Sequence, residues 1–410
     1  MRKVIVLVLF AAAACGGSPR SGAVTIGAVY PLTGPQGAGG VEESRGVRVA
    51  VELVNQAGGV GGHPIRVRWV DTPGSDAAPG AIKALADDGI RLVIGSHGST
   101  ISRPAADAAA NRGMLFWETG AVGDMTGNGA GDLVFRVSPT GGVLGRAAVE
   151  FIADRLAPLM RRRAASLRFA VAYVDDVYGS SVAGGAIRQI RDMGLAYAGA
   201  VSYNAQTLRP ADVVHRIAQL RPDVLFVTAY IDDGVALRKE SIRQHLPLVA
   251  SIGTSSSYCH PEFGARLGKA ATGLFASDKP NSSLNPAGLS ADSRAVLERA
   301  NTLHRRRYGA EMDAPGLAGF AAAWALFHEV MPRATTFSPS AIAEAARAVR
   351  IPRGGLPNGS GLEFGAPGTP EAGANMRAMS VIWEWTTDGK RTVVWPPEYA
   401  TAPIQPLRIA

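Results

Sequence analysis

The 410-residue chain contains only two cysteines, Cys15 and Cys259. That excludes a disulfide framework, so the fold has to stand on its hydrophobic core. Beyond residue 14 there is no apolar stretch of the roughly 18 residues that a spanning helix needs, and the body of the chain is expected to be globular and soluble. Aromatics make up 7% of the residues and are not interleaved with a basic stripe. The formal charge of +8 falls to +6 without Arg2 and Lys3, and its only clusters, Arg161 to Arg163 and Arg305 to Arg307, read as solvated helix ends. Nucleic acid is therefore excluded as a partner. Signatures of catalysis are missing too: there is no G-x-S-x-G elbow, H-E-x-x-H, C-x-x-C or P-loop. The stretch GNGAG at Gly127 to Gly131 lacks the spacing of a dinucleotide fingerprint and follows no strand. No enzyme activity, cofactor or metal is expected.

The N-terminus is rich in a different signal. Arg2 and Lys3 precede 11 consecutive apolar residues, Val4 to Ala14, half a membrane span but long enough for a secretory signal. Small residues Ala12 to Ala14 then lead into Cys15, which resembles the lipobox of bacterial lipoproteins, although Ala12 stands where that motif usually has Leu. Residues 1–14 are expected to be a removed signal peptide, Cys15 a lipidation site and 15–22 a flexible tether. The mature protein would be exported and held at the outer face of the cell membrane. Cys259 reads as a partly buried bystander.

From Val24 onward, short aliphatic runs alternate with turns and Ala-rich helical stretches. Strand candidates are Val24–Val29, Ile65–Val70, Leu92–Ile94, Leu115–Trp117, Phe169–Val174, Ala198–Tyr203, Val224–Thr228 and Leu248–Ala250. Helical periodicity joins Val47, Val51 and Val54, and again Ile187, Ile190 and Met193. Strands spaced by helices predict an α/β fold of parallel sheets with right-handed crossovers. So many strands favour two doubly wound sheets, with a break near Arg136 to Gly142. After Leu274 the chain is expected to turn helical for a long stretch, and a return through residues 352–361 leads to a strand-like MSVIWEW.

In such sheets a ligand sits beyond the carboxyl ends of the strands, against helix N-termini. Ser99 and Thr100, in GSHGSTIS, can cradle an anion or simply cap a helix. His97 beside them reads as a surface imidazole rather than half of a catalytic couple. Gly120 and Ala121, after the strand ending at Trp117, are small enough to admit a ligand to the backbone. Tyr178, Tyr230 and the run Thr254 to Ser257 follow later strands. Loop acids Asp124, Asp175, Asp176, Asp232 and Asp233 are solvated by default, and Glu118 is promoted by its place at a strand end.

The stretches IGAVYPLTGPQG, VAVELVNQAGGVGGHPIRVRWVD, RLVIGSHGST, FRVSP, YVDDVYGSS and GFAAAWAL together resemble the branched-chain amino acid type of ABC-transporter substrate-binding protein, a type I periplasmic binding fold. The similarity runs from about Val24 to Trp395. It implies two lobes joined by three hinge crossovers, 23–139 with 277–354 and 140–276 with 355–410. It further implies a monomer that captures a small ligand and delivers it to a membrane permease. Carried over by motif, Ser99 and Thr100 would meet a ligand carboxylate together with backbone at Gly120 and Ala121. Tyr178 and Tyr230 would close from the second lobe.

Departures redirect the expectation away from leucine. Gly39 replaces an aromatic wall, which argues for a larger or more polar side chain. Val122 stands in place of a hydroxyl. Where the family carries an acid for the ligand's ammonium, this chain offers only Thr254, Ser255, Ser256 and Ser257. An unpaired buried ammonium is too costly, so Glu118 or Asp232 is expected to substitute, or else the ligand is an amide or carboxylate. A sensor of the same fold that reports ligand to a regulatory partner is the alternative function, to be separated from transport by whether permease or kinase genes lie alongside.

Overall fold

The structure, a computed structural model, describes residues 22–124 and 132–405. Cys15 and the signal segment lie outside the described residues. Twelve strands are present among them: β1 (Val24–Tyr30), β2 (Ile65–Asp71), β3 (Leu92–Gly95), β4 (Leu115–Glu118), β5 (Val134–Arg136), β6 (Arg168–Val174), β7 (Ala196–Tyr203), β8 (Val224–Thr228), β9 (Ala250–Thr254), β10 (Phe275–Asp278), β11 (Val381–Trp385) and β12 (Arg391–Trp395). They form two sheets, β2-β1-β3-β4-β5 and β12-β11-β10-β9-β8-β6-β7. The first is parallel throughout. The second is parallel from β7 to β10 and antiparallel at β10–β11 and β11–β12. The chain leaves the first sheet after β5, builds the second through β10, returns with helices Ala291–Tyr308 and Ala314–Trp324, and re-enters the second with β11. This is the two-lobed, doubly wound α/β architecture with three crossovers.

Side-chain alternation shows why each sheet is covered on both faces. In β4, Leu115 and Trp117 point into the large core while Phe116 points into a separate cluster with Val29, Ile82, Leu85, Ile101 and Met114. That cluster is closed by helices Ala78–Asp87 and Ser99–Ala110, and the other face by helix Gly37–Gln56 packed along Ala314–Trp324. Phe364 stacks edge-on against Trp117 and Phe135, with ring centroids 5.4 and 5.0 Å away, and Ala374 bridges to Arg136. Residues around 364–374 therefore lie beside the first sheet.

Two expectations need correction. The strand placed at Leu248–Ala250 runs instead from Ala250 to Thr254, where pairing with both β8 and β10 is available. The chain does not turn helical directly after Leu274: β10 comes first, filling the slot between β9 and β11. It escapes an apolar pattern because Ser277 and Asp278 form half of its four residues, yet all four are buried.

Candidate functional site

The carboxyl ends of β3 and β4 face those of β6, β8, β9 and β10 across a narrow cleft. Ser99, Gly120 and Val122 line it from one side, and Tyr178, Tyr230, Ser255 and Ser256 from the other.

Helix Ser99–Ala110 starts after the extended residue Gly98, so its first amides have no partner within the helix. Ser99 is buried; its Oγ accepts from the Gly123 amide at 2.9 Å and retains an O–H to donate. Thr100 is half-buried and accepts from Gln36 Nε2 at 3.1 Å, and Gln36 itself lines the cleft.

Glu118 is fully buried and turns into its own loop. Its Oε1 accepts from the amides of Gly120 and Ala121 at 2.8 and 2.7 Å, and its Oε2 from Ser96 N and Ser102 Oγ at 3.1 and 2.5 Å. A buried carboxylate needs donors, and the amides two and three residues on are the nearest. Gly120 and Ala121 amides thus hold Glu118 instead of pointing at a ligand, and Ala121 is not among the lining residues. Burial first, and then the Glu43 carboxylate, push Glu118 up to about 7 against these donors. Gly120 still borders the cleft, and its carbonyl accepts from Lys279 Nζ at 2.7 Å. A Cβ at Gly120 would overlap Glu43 Oε2, so any larger residue there displaces the Glu43 carboxyl.

His97 is not a surface imidazole. Its side chain is 19% exposed and its Nδ1 lies 2.9 Å from Glu43 Oε2. A Cβ at Gly39 would overlap the His97 ring, so the space opened by the missing aromatic wall is filled by imidazole rather than left for a ligand.

On the facing lobe the Tyr178 hydroxyl lies 2.9 Å from Thr254 Oγ1 and accepts from Ser256 N at 3.2 Å. Thr254 is buried behind Tyr178 and positions it rather than lining the cleft. The Tyr230 hydroxyl donates to Asp176 Oδ2 at 2.7 Å, and the two tyrosine rings lie 5.5 Å apart. Burial pushes Tyr178 up to about 12, and burial followed by Asp176 raises Tyr230 as well, so both walls stay neutral near pH 7. Asp232 stands apart: its side chain is 91% exposed and pairs with Arg266 Nη1 at 2.6 Å. Asp233, expected in solvent, is buried and accepts from Tyr203 at 2.6 Å.

Sequence reasoning missed the far wall. Cys259, His260, Asp278, Lys279, Asp313 and Arg391 all line the cleft. Cys259 is wholly buried there rather than a partly buried bystander. Asp313 caps helix Ala314–Trp324 and its Oδ1 meets Arg391 Nη2 of β12 at 2.6 Å, joining the two lobes. The available signal was an acid and a lysine at the carboxyl end of a strand, Asp278 and Lys279, hidden because β10 went unrecognised. No cluster of three or more metal-binding side chains exists among the described residues.

Two doubly wound sheets facing one another across a small polar cleft define a solute-binding protein with the type I periplasmic binding fold. The chain belongs to the periplasmic binding protein family, whose sequence profile matches residues 23–382. Among curated relatives, Leu/Ile/Val-binding protein homolog 8 of Brucella abortus (strain 2308) is 26% identical over 383 residues, covering 92% of each chain. A leucine-binding protein from Thermotoga maritima MSB8 shares the fold with a TM-score of 0.74 at 18% identity, over 90% of this chain and 97% of that one. An extracellular ligand-binding receptor from Rhodopseudomonas palustris HaA2 superposes with a TM-score of 0.75 at 19% identity, over 92% and 100%. The family is extracytoplasmic, and no helix among the described residues is long and apolar enough to cross a membrane.

Proposed function

We propose that this chain is the solute-binding component of an ABC importer, a monomer that captures a small amino acid-like ligand between its lobes and hands it to a membrane permease. The observation that carries this reading is the cleft itself, lined by Ser99, Gly120 and Val122 from one lobe and by Tyr178, Tyr230 and Ser256 from the other. The names of the Brucella and Thermotoga relatives support an amino acid as the ligand class. We take the lobes as 23–139 with 277–354 and 140–276 with 355–410, with β10 crossing that boundary to end in the second sheet and the stretch around Phe364 leaning on the first lobe.

Ligand contacts divide between the lobes, so ligand favours the closed form by its differential contacts. A ligand carboxylate would use the Ser99 hydroxyl and the free first-turn amides of Ser99 and Thr100. The test begins with native mass spectrometry of the purified protein and a thermal-shift screen of amino acids, amides and small carboxylates. By calorimetry, Ser99→Ala and Tyr230→Ala should each weaken the best ligand by on the order of 1 to 3 kcal/mol, about fivefold to 150-fold. Parent-like binding in both variants would take these residues out of the site.

Anchoring rests on Cys15 in the same reading. Stable attachment needs more than one acyl chain, which a diacylated and N-acylated cysteine supplies. Cys15→Ser should move the protein from the membrane fraction to the soluble one, and a variant that still fractionates with membranes sinks the anchor.

A further inference from the structure

We propose that Asp278 is the anionic partner of the ligand's ammonium group, making the cleft a site for zwitterions in which this acid sets specificity. The inference rests on reading the cleft as the ligand site.

Three observations carry it. Asp278 is the last residue of β10, so its carboxyl stands at the carboxyl end of a parallel strand, in the wall of the cleft. It is 3% exposed, and its Oδ1 is buried with no hydrogen-bond partner. The carboxyl's interactions with the Cys259 thiol and the Lys279 amide leave that oxygen unmatched. Unpaired buried carboxylate oxygen is costly, and structures retain such a group where something else supplies the donor.

The neighbouring cations do not supply it. Lys279 Nζ donates to Gly120 O at 2.7 Å, and Arg391 Nη2 meets Asp313 Oδ1 at 2.6 Å. Both acids weighed from the sequence are otherwise engaged, Glu118 by four donors of its own lobe and Asp232 by Arg266 in solvent. Tyr178 and Tyr230 line the same cleft, and aromatic rings favour a cation nearby. A group with N–H donors and positive charge satisfies Oδ1 best, because hydrogen bonds between opposite charges are about twice as strong as neutral ones. A ligand bearing both an ammonium and a carboxylate is itself neutral overall and leaves the cleft's charge balance unchanged.

The test is calorimetry on the mature chain with the twenty standard amino acids, followed by the 2-hydroxy acid matching the tightest of them. The parent should prefer the amino acid by on the order of 100-fold. Asp278→Asn, which keeps the shape and removes the charge, should lose most of that preference by weakening the amino acid while holding the 2-hydroxy acid within about threefold. Asp278→Ser provides a second, smaller replacement with the same expected loss. An Asn or Ser variant that keeps the parent's preference overturns the role of Asp278. A parent that binds the 2-hydroxy acid as well as the amino acid overturns the ammonium while leaving solute binding intact. A parent that binds no amino acid and no 2-hydroxy acid overturns both this proposal and the amino acid reading beneath it.

Discussion

Arg136→Met is expected to destabilise the protein by on the order of 3 to 5 kcal/mol and to weaken ligand binding at the same time. Arg136 is wholly buried on β5, in register with Glu118 on β4. Its Nη1 donates to Val122 O at 3.3 Å and its Nη2 to Gly123 O, so one guanidinium holds two carbonyls of the loop that carries Val122 into the cleft. Methionine matches much of the stem's volume, which confines the loss to charge and hydrogen bonds. Gly123 O is then left without a donor, at about 1 to 3 kcal/mol for a buried orphan, while Val122 O keeps the Gly141 amide at 2.6 Å, and the Arg136 charge that Glu118 faces is gone. Urea unfolding of the ligand-free protein gives the stability change, and calorimetry gives the affinity. A variant within about 1 kcal/mol of the parent would show that the loop is held by its own turns. A destabilised variant with parental affinity would show that the loop does not shape the cleft.

Much of the architecture was legible because it is written in local patterns. Seven of the eight strand candidates fall on observed strands nearly end to end, from Val24 to Thr228, because β-branched runs between glycine turns encode buried parallel strands directly. β10 was not legible. A four-residue strand with Ser277 and Asp278 in it has no hydrophobic signature, and it is strand only because β9 and β11 flank it. That omission hid Asp278 and Lys279. The position of Glu118 at a strand end was readable, whereas the direction of its side chain was not, since that depends on Ser96 from the neighbouring turn and Ser102 from the helix that follows it. Asp232 and Asp233 make the same point on a helix. Successive residues diverge by about 100°, so Asp233 reaches Tyr203 in the interior while Asp232 faces solvent. Gly39 looked like a gap because the imidazole that fills it comes from 58 residues further along the chain.

Stability should also respond to pH through Glu118, and the sign follows from its displacement. Burial raises its folded pKa to about 7 from the ordinary 4.5, with the Glu43 carboxylate adding to the rise. Between these values the folded state holds a proton that the unfolded state has released, so raising the pH through this window destabilises the fold. At 1.36 kcal/mol for each unit, the contribution present below pH 4.5 and lost by pH 7 is about 3 kcal/mol. Other buried groups titrate nearby. Glu384 is likewise pushed up to about 7 by burial, and His260 is lowered by burial, which gives a dependence of opposite sign below pH 6.5. The comparison must therefore be made against Glu118→Gln, which removes only the one titration. In urea unfolding at pH 4.5, 5.5, 6.5 and 7.5, the parent's stability relative to the Gln variant should fall by about 3 kcal/mol over the series. Parallel profiles would mean that Glu118 is already ionised at the acid end, held there by the amides of Gly120 and Ala121. The loss has a functional reading because Gly120, whose amide Glu118 holds, borders the cleft: at pH 7 and above, the ionised carboxyl grips that amide hardest, and below it a protonated oxygen must turn one contact into a donor. Ligand affinity of the parent relative to that of Glu118→Gln should then drift with pH across the same window.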